Sequence, residues 1–280
     1  MKSFKTVTEI MDIIGDDQND VSPENGVYAT IKDEGNFMHN LSEAFEAGKS
    51  WYSHQGSLLL NFKPLQEAHI KHKAFELSPE KRELESKHHN MTNYNQHMRS
   101  IRDYTRDSTD HNSILWRMHT GELSKALAGH DMREHIGPLD RALKANKITT
   151  DVDTYSSTRH DPRTMKNKNG IVHHPAFLST SVDPMVAVRK DNNATDTELD
   201  NGKTRVDHHI LHIPVSKGQK GFYVGENGDY TKFKHEKELI LPRGLKMKHE
   251  YTDTYKHPKH NLYLHIHHMS IVKRGTKHES

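Results

Sequence analysis

The chain contains no cysteine among its 280 residues. That excludes disulfide staples and thiolate metal sites, and it fits a reducing compartment. No apolar run approaches the ~20 residues that cross a bilayer as a helix. Mean hydropathy is −0.93, so a soluble protein with no membrane partner is expected. An excess of either charge is also lacking. The 40 Lys and Arg are balanced by 38 Asp and Glu, which gives no reason to expect direct nucleic-acid binding. The opening MKSFKTVTEIMDIIGDDQND has no apolar h-region, so no secretion signal is expected and the cytoplasm is the expected location. A G-x-G-x-x-G fingerprint and a P-loop are both absent, which argues against Rossmann and kinase-type nucleotide sites.

Histidine, by contrast, is abundant at 25 residues, with doublets at His88-His89, His173-His174, His208-His209 and His267-His268. Metal-binding pairs on a helix need i, i+4 spacing, and adjacent histidines point apart on any regular element. His265 and His267 would share a strand face, but no acidic ligand stands beside them in the sequence. The expectation is therefore solvated, partly protonated surface histidine and no metal.

Residues 1–63 are polar and weakly patterned, apart from a helical stripe over 37–48 ended by Gly48; they are read as a segment separate from a domain over 64–280. From 64 to 147 the text is helical. Ser78-Pro79-Glu80 starts one helix, Ser113 is a candidate cap for another that Gly121 stops, and Gly137-Pro138 breaks the next. Leu139, Ala142 and Leu143 then form an apolar stripe. From 148 onward short extended segments dominate: DVDTYSS, AFLSTSV, DHHILHIPV, GFYVG, KELILP and NLYLHIHHMSIV. A polar loop covers 191–203. Helices followed by strands argue for an α+β fold.

Two short motifs carry chemistry. In HEKELILP, Glu236 and Glu238 are two residues apart, a spacing that puts both carboxylates on one face of a strand, with Lys237 pointing away and Leu239 and Leu241 on the core side. Paired carboxylates suit chemistry at an acetal carbon: one stabilises an oxocarbenium-like transition state and the other orients or deprotonates the nucleophile. The alternative is a solvated pair on an edge strand. In AFLSTSVDP, Ser179-Thr180-Ser181 ends an apolar strand before a helix start at Asp183-Pro184. Its hydroxyls are able to aim a carboxylate and hold it ionised, or simply to cap the helix.

Taken in order, the F-x-S-T-S triplet, the HILHIPV strand, KGQKGFYVG and an E-x-E running into LILPRG resemble the arginine-serine-glutamate class of mono-ADP-ribosyltransferases. The texture is most similar to the enzymes that T-even-type phages use on host proteins. Upstream, DYTRDSTDHNSILWRMHTG resembles the family's helical Y-T-x-x-S-x-x-x-N-x-x-L segment, and PLDRALKANKITTDVDTYSSTRHDP its helix and first core strand. The resemblance covers roughly residues 100–272 and is most specific over 171–248.

This resemblance implies two antiparallel sheets forming an NAD cleft, preceded by a helical region. It implies NAD as co-substrate, no metal, and a target protein bearing an acceptor arginine as partner, found in the host cell if the phage likeness holds. Glu238 would stabilise the oxocarbenium ion, Glu236 would activate the arginine, and Ser179 would hold Glu238. Thr180 and Ser181 would help form the NAD pocket, and Arg189 would contact phosphate. The segment 221–235 would meet the target through Tyr230 and Phe233, while Phe222 and Tyr223 are either further contacts or the core of a short strand. The family's first strand ends in an aromatic-Arg-Gly motif, and here the text is Tyr155-Ser156-Ser157. Ser156 thus stands where the family has its NAD-binding arginine. Arg117 lies in helical text too far upstream, so Arg159 is the expected replacement, followed by Arg163. The missing arginine motivates an alternative, a degenerate transferase fold serving as a binding or virion module; NAD glycohydrolase activity and a histidine-based metal hydrolase rank below it.

Overall fold

The computed structural model describes residues 62–86, 94–189, 194–199, 203–225, 231 and 233–272. The helix expected over 37–48, and Tyr230, lie outside the described residues. The chain divides into two units, 1–63 and 64–280, and all that follows concerns the second.

Helices come first. α1 spans Lys63–Glu76, α2 Pro79–Ser86, α3 Tyr94–Arg106 and α4 Ser108–Thr120. Ser78 accepts from the Lys81 backbone N–H at 3.3 Å, as an N-cap should. α4 starts five residues before the expected Ser113. Its cap is Asp107, whose side chain accepts from the Thr109 N–H at 3.0 Å. Ser113 instead sits inside the helix and donates to the Asp110 carbonyl at 3.1 Å. Gly121, with φ of 83°, does end α4.

Gly137-Pro138 does not break the next segment. A turn at Gly129–Asp131 and a π turn at Met132–Ile136 run directly into α5, Gly137–Ala145. Proline has no N–H to donate, and the wider π turn takes up the interruption just before it. Glycine is required at 137, because a Cβ there would lie 2.9 Å from the Met132 carbonyl oxygen.

The sheet contains nine strands among the described residues: β1 Val152–Thr158, β2 Ile171–His174, β3 Leu178–Ser181, β4 Thr195–Glu198, β5 Thr204–Val215, β6 Phe222–Gly225, β7 Glu238–Leu241, β8 Leu245–Lys256 and β9 Leu262–Ile271. Two short helices interrupt them, α6 Pro162–Met165 and α7 Pro184–Arg189. The order is β2-β8-β9-β5-β1-β3-β7-β6, with β4 on β5. Pairing is antiparallel except between β5 and β9.

The two expected sheets are therefore joined, but only narrowly. β1 and β3 share a single register pair, Tyr155 with Ser181, whereas β1 and β5 share seven. On one side lies the large limb β2-β8-β9-β5-β1 and on the other the small limb β3-β7-β6, and the candidate residues Ser156, Ser179 and Glu238 gather at the pinch between them. β7 is buried on both faces. Leu239 and Leu241 pack with Leu178, Ile213 and Met247, while Ile240 packs with Ile101, Tyr104, Phe177 and Phe222 from the helical side. Phe222 and Tyr223 are wholly buried on β6, which settles their alternative in favour of core. No described helix is long and apolar enough to cross a membrane.

Candidate active site

A cleft opens at the β1–β3 junction. It is lined by Tyr155, Ser156 and Ser157 of β1, by Ser179, Thr180 and Ser181 of β3, by Val186 and Ala187 of α7, and by Glu236 and Glu238. The ladder explains the gathering. β3 runs antiparallel to β7, with Ser179 opposite Ile240 and Ser181 opposite Glu238. Both serines therefore share a face with Glu238.

The three hydroxyls do different jobs. Ser179 Oγ donates to Glu238 Oε1. Thr180 Oγ1 donates to the Leu239 carbonyl at 2.7 Å. Ser181 Oγ donates to the Glu236 carbonyl at 2.7 Å and accepts from the Asp183 N–H at 3.0 Å. Ser156 ties the triplet strand to β1, its Oγ donating to the Ser179 carbonyl at 2.8 Å. The capping expected at Asp183-Pro184 is present as well, with Asp183 Oδ1 accepting from the Met185 N–H at 2.9 Å. The triplet thus orders one carboxylate side chain and one backbone turn together.

The two glutamates do not share a strand. Glu236 ends a 3₁₀ turn, Lys234–Glu236, and only Glu238 belongs to β7. Lys237 between them is left-handed, with φ 45° and ψ 47°. This corrects the i, i+2 expectation, since period-2 alternation holds only where both residues are extended. Both side chains still line the cleft, but from a turn and a strand. Glu238 is 5% exposed and Glu236 half-buried. Lys237 does not face solvent; its ammonium meets Glu76 and His72 of α1.

Tyr104 stands close to Glu238 outside the two short motifs. It is fully buried on α3, its phenol oxygen accepts from Asn112 Nδ2 at 3.2 Å, and its ring meets Phe177 edge-on. Burial, and then the negative charge of Glu238, push the phenol well above its ordinary pKa. The signal was present in the Y-T-x-x-S-x-x-x-N pattern, where Tyr104 and Asn112 are the two residues that bond.

Other expected residues fall outside the cleft lining. Arg159 is exposed and follows β1 directly; its carbonyl accepts from Thr195 Oγ1 at 2.9 Å. Arg163 is committed elsewhere, its guanidinium bridging both oxygens of Asp161 at 2.8–2.9 Å. Phe233 is 41% exposed at the entrance to the 3₁₀ turn. Arg189 ends α7, and its side chain, like Tyr230, lies outside what is described.

The histidines depart furthest from expectation. On the large limb, His208, His209, His265 and His267 are buried rather than solvated. The parallel β5–β9 pairing sets His209 beside His265, and their rings stack at 4.8 Å. His209 Nδ1 lies 3.0 Å from His267 Nε2, and His267 Nδ1 lies 2.9 Å from Thr252 Oγ1. Burial lowers the pKa of His208 and His209 to about 4 and that of His267 to about 3, so these rings are neutral. Acidic neighbours do exist, contrary to the sequence reading, but they come from distant positions. Asp207 lies 2.7 Å from His265 Nε2, and Asp161 joins His209 and His267 in a group whose ligating atoms all fall within 4.8 Å. In that group the Asp161 oxygens are held by Arg163 and the two rings face each other, so the donors are already engaged.

Residues 80–271 match a protein-family model described as ADP-ribosyltransferase exoenzyme. No curated protein matches the chain. Among solved structures, one similar fold is Plx2a, an ADP-ribosyltransferase toxin from Paenibacillus larvae, at 19% identity and a TM-score of 0.49, covering 73% of this chain and 96% of that one. Another is C3stau2 from S. aureus with NAD, at 15% identity and 0.45, covering 69% and 92%. A third is the Vis ADP-ribosyltransferase of Vibrio splendidus in complex with agmatine, at 16% and 0.46, covering 74% and 86%.

Proposed function

Because the chain belongs to the ADP-ribosyltransferase exoenzyme family, whose co-substrate is NAD, we propose that it transfers ADP-ribose from NAD to an arginine side chain of a target protein and releases nicotinamide. The observation that carries this reading is the convergence of Glu236, Glu238 and the Ser179 hydroxyl on one cleft at the pinch of the sheet. The cleft is assigned to the nicotinamide end of NAD, because Glu238 and Ser179 line it.

Glu238 supplies fixed negative charge where positive charge develops as the bond from ribose C1′ to the nicotinamide nitrogen breaks. The bonding pair leaves with nicotinamide. A carboxylate already aimed by Ser179 and shielded from water acts on the transition state more than on the ground state. Glu236, on its turn at the cleft edge, faces the incoming nucleophile. It orients the guanidinium, and it takes the proton as the new C1′–N bond forms. Arg159, exposed directly after β1, is the guanidinium assigned to the pyrophosphate. Exposed Phe233 is assigned to the target surface. The phage-type likeness of the sequence makes a host protein of transcription or translation the natural acceptor.

The test is incubation of a cell lysate with biotinylated NAD and either wild-type protein or Glu238→Gln, with modified proteins identified by mass spectrometry. Labelling of arginine by wild type alone is expected. If wild type labels nothing, or the variant labels equally, the reading fails.

A further inference from the structure

α1 lies before residue 80, where the family match begins, yet it carries buried ionisable groups that the proposed chemistry does not use. His69 and His72 are 5% and 4% exposed, and the Glu76 side chain is 14% exposed. His72 and Glu76 meet Lys237, the residue after Glu236, and His69 meets Asp183.

Two paths run from α1 to the turn that holds Glu236. On the first, Lys237 Nζ lies 3.1 Å from His72 Nε2 and 3.4 Å from Glu76 Oε2, and Glu76 Oε2 also accepts from Lys81 Nζ at 3.0 Å. On the second, His69 Nδ1 lies 3.5 Å from Asp183 Oδ1. The Asp183 N–H holds Ser181 Oγ, which donates to the Glu236 carbonyl. The paths meet on either side of a peptide whose next residue, Lys237, is left-handed, a conformation disfavoured for any residue with a Cβ. Such a conformation persists where its surroundings over-determine it.

The protonation states agree with this geometry. Burial, against the pull of Asp183 and with the Lys237 charge, lowers His72 to about 4, so its neutral Nε2 accepts from the ammonium. Burial works to raise Glu76, but Lys237 and the bond from Lys81 outweigh it and hold the carboxylate ionised.

We propose that α1 is a positioning element for Glu236: Glu76 and His72 grip the Lys237 ammonium, and the α1-bound Asp183 fixes the Ser181 hydroxyl that holds the Glu236 carbonyl. The assignment rests on the reading of Glu236 as the acceptor-activating group. Glu238 does not depend on α1 in the same way, because the β3–β7–β6 ladder and Ser179 hold it separately. Loosening the α1 grip therefore disturbs transfer to the acceptor more than cleavage of NAD.

The experiment uses full-length Glu76→Gln and Lys237→Met. Nicotinamide release without acceptor is measured beside transfer of ADP-ribose to agmatine, an arginine analogue. The ratio of transfer to hydrolysis is expected to fall on the order of fivefold or more in both variants, the loss of one charge-assisted contact, while KM for NAD stays within about twofold. The double variant is expected to match Lys237→Met, since that change already removes the Glu76 contact together with the His72 one. A loss of folded protein lowers both activities together and leaves the ratio unchanged, so the ratio separates positioning from stability. Hydrogen exchange supplies a readout independent of acceptor: amides over 234–238 are expected to exchange faster in the variants, with β5 and β9 unaltered. An unchanged ratio in an active enzyme, or unchanged exchange over 234–238, overturns the inference. A wild-type protein that cleaves no NAD or ignores agmatine sinks the arginine-transfer reading instead, and exchange alone then decides the role of α1.

Discussion

Replacing Ser179 by alanine removes one oxygen from the cleft and leaves the frame around Glu238 intact. The ladder pairs Ser181 with Glu238 and Ser179 with Ile240 through the backbone, and Ser156 bonds the Ser179 carbonyl, which alanine retains. What disappears is the hydroxyl donor on Glu238 Oε1. A hydrogen bond to a charged group contributes roughly 1.5–3 kcal/mol. Glu238 is 5% exposed, so water does not readily take the place of the lost donor. If the bond aims the carboxylate at the developing positive charge, the loss falls on the transition state. About 1.4 kcal/mol is a factor of ten in rate, so kcat for nicotinamide release should fall roughly 10- to 150-fold, with KM for NAD nearly unchanged. Stopped or continuous measurement of nicotinamide release over a range of NAD concentrations gives both constants. Ser179→Ala in the background of Glu238→Gln should have no further effect, because the hydroxyl acts through that carboxylate. A single variant within twofold of wild type, or additive losses in the double variant, refutes the reasoning.

The neutral histidines of the large limb predict acid lability. His208, His209 and His267 titrate near 4, 4 and 3 when folded against about 6.5 when unfolded. The unfolded chain therefore binds the extra protons first. Stability from these groups is complete above about pH 6.5 and is lost as pH falls toward 4, on the order of 2 kcal/mol for each such histidine by pH 5. Urea midpoints at intervals from pH 8 to 4.5 check this, and a flat profile contradicts it. Arg243→Ala cuts the bidentate bond to Asp140, with contacts of 2.7–3.1 Å between the β7–β8 turn and α5; it should lower stability by about 1–3 kcal/mol in denaturant titration and leave KM for NAD unaltered. Arg159→Ala should weaken NAD binding in calorimetry by roughly 1.5–3 kcal/mol, the worth of a charge-assisted contact, with kcat little changed. Equal affinity in variant and wild type would remove Arg159 from the pyrophosphate.

Much of the frame was legible from local chemistry. The extended segments DVDTYSS, AFLSTSV, GFYVG and KELILP each contain a strand, because β-branched and aromatic residues bounded by turn residues have few other outlets. Ser78-Pro79 and Asp183-Pro184 start helices, since a side-chain oxygen followed by proline satisfies the exposed N–H groups of a first turn. β8 gives no strand signal along its twelve residues: eight of LKMKHEYTDTYK are polar or charged, and its pairing comes from β2 and β9. Asp107 and Ser113 are both good caps by composition; α4 takes the earlier one, and its His111 then packs against Tyr104.

The sequence by itself determined which groups are available to the cleft: two carboxylates separated by a lysine, three consecutive hydroxyls, and no cysteine. Tertiary structure decided how they are used. It turned Glu236 off the strand by holding Lys237 left-handed from a helix some 160 positions away in the chain. It also drew the histidines of β5 and β9 into a buried layer with Asp161 and Asp207. Strand periodicity and capping are local and can be read along a chain. The ionisation and aim of a buried side chain depend on whatever lies a few ångströms away in space, and those neighbours are set only when the sheet closes.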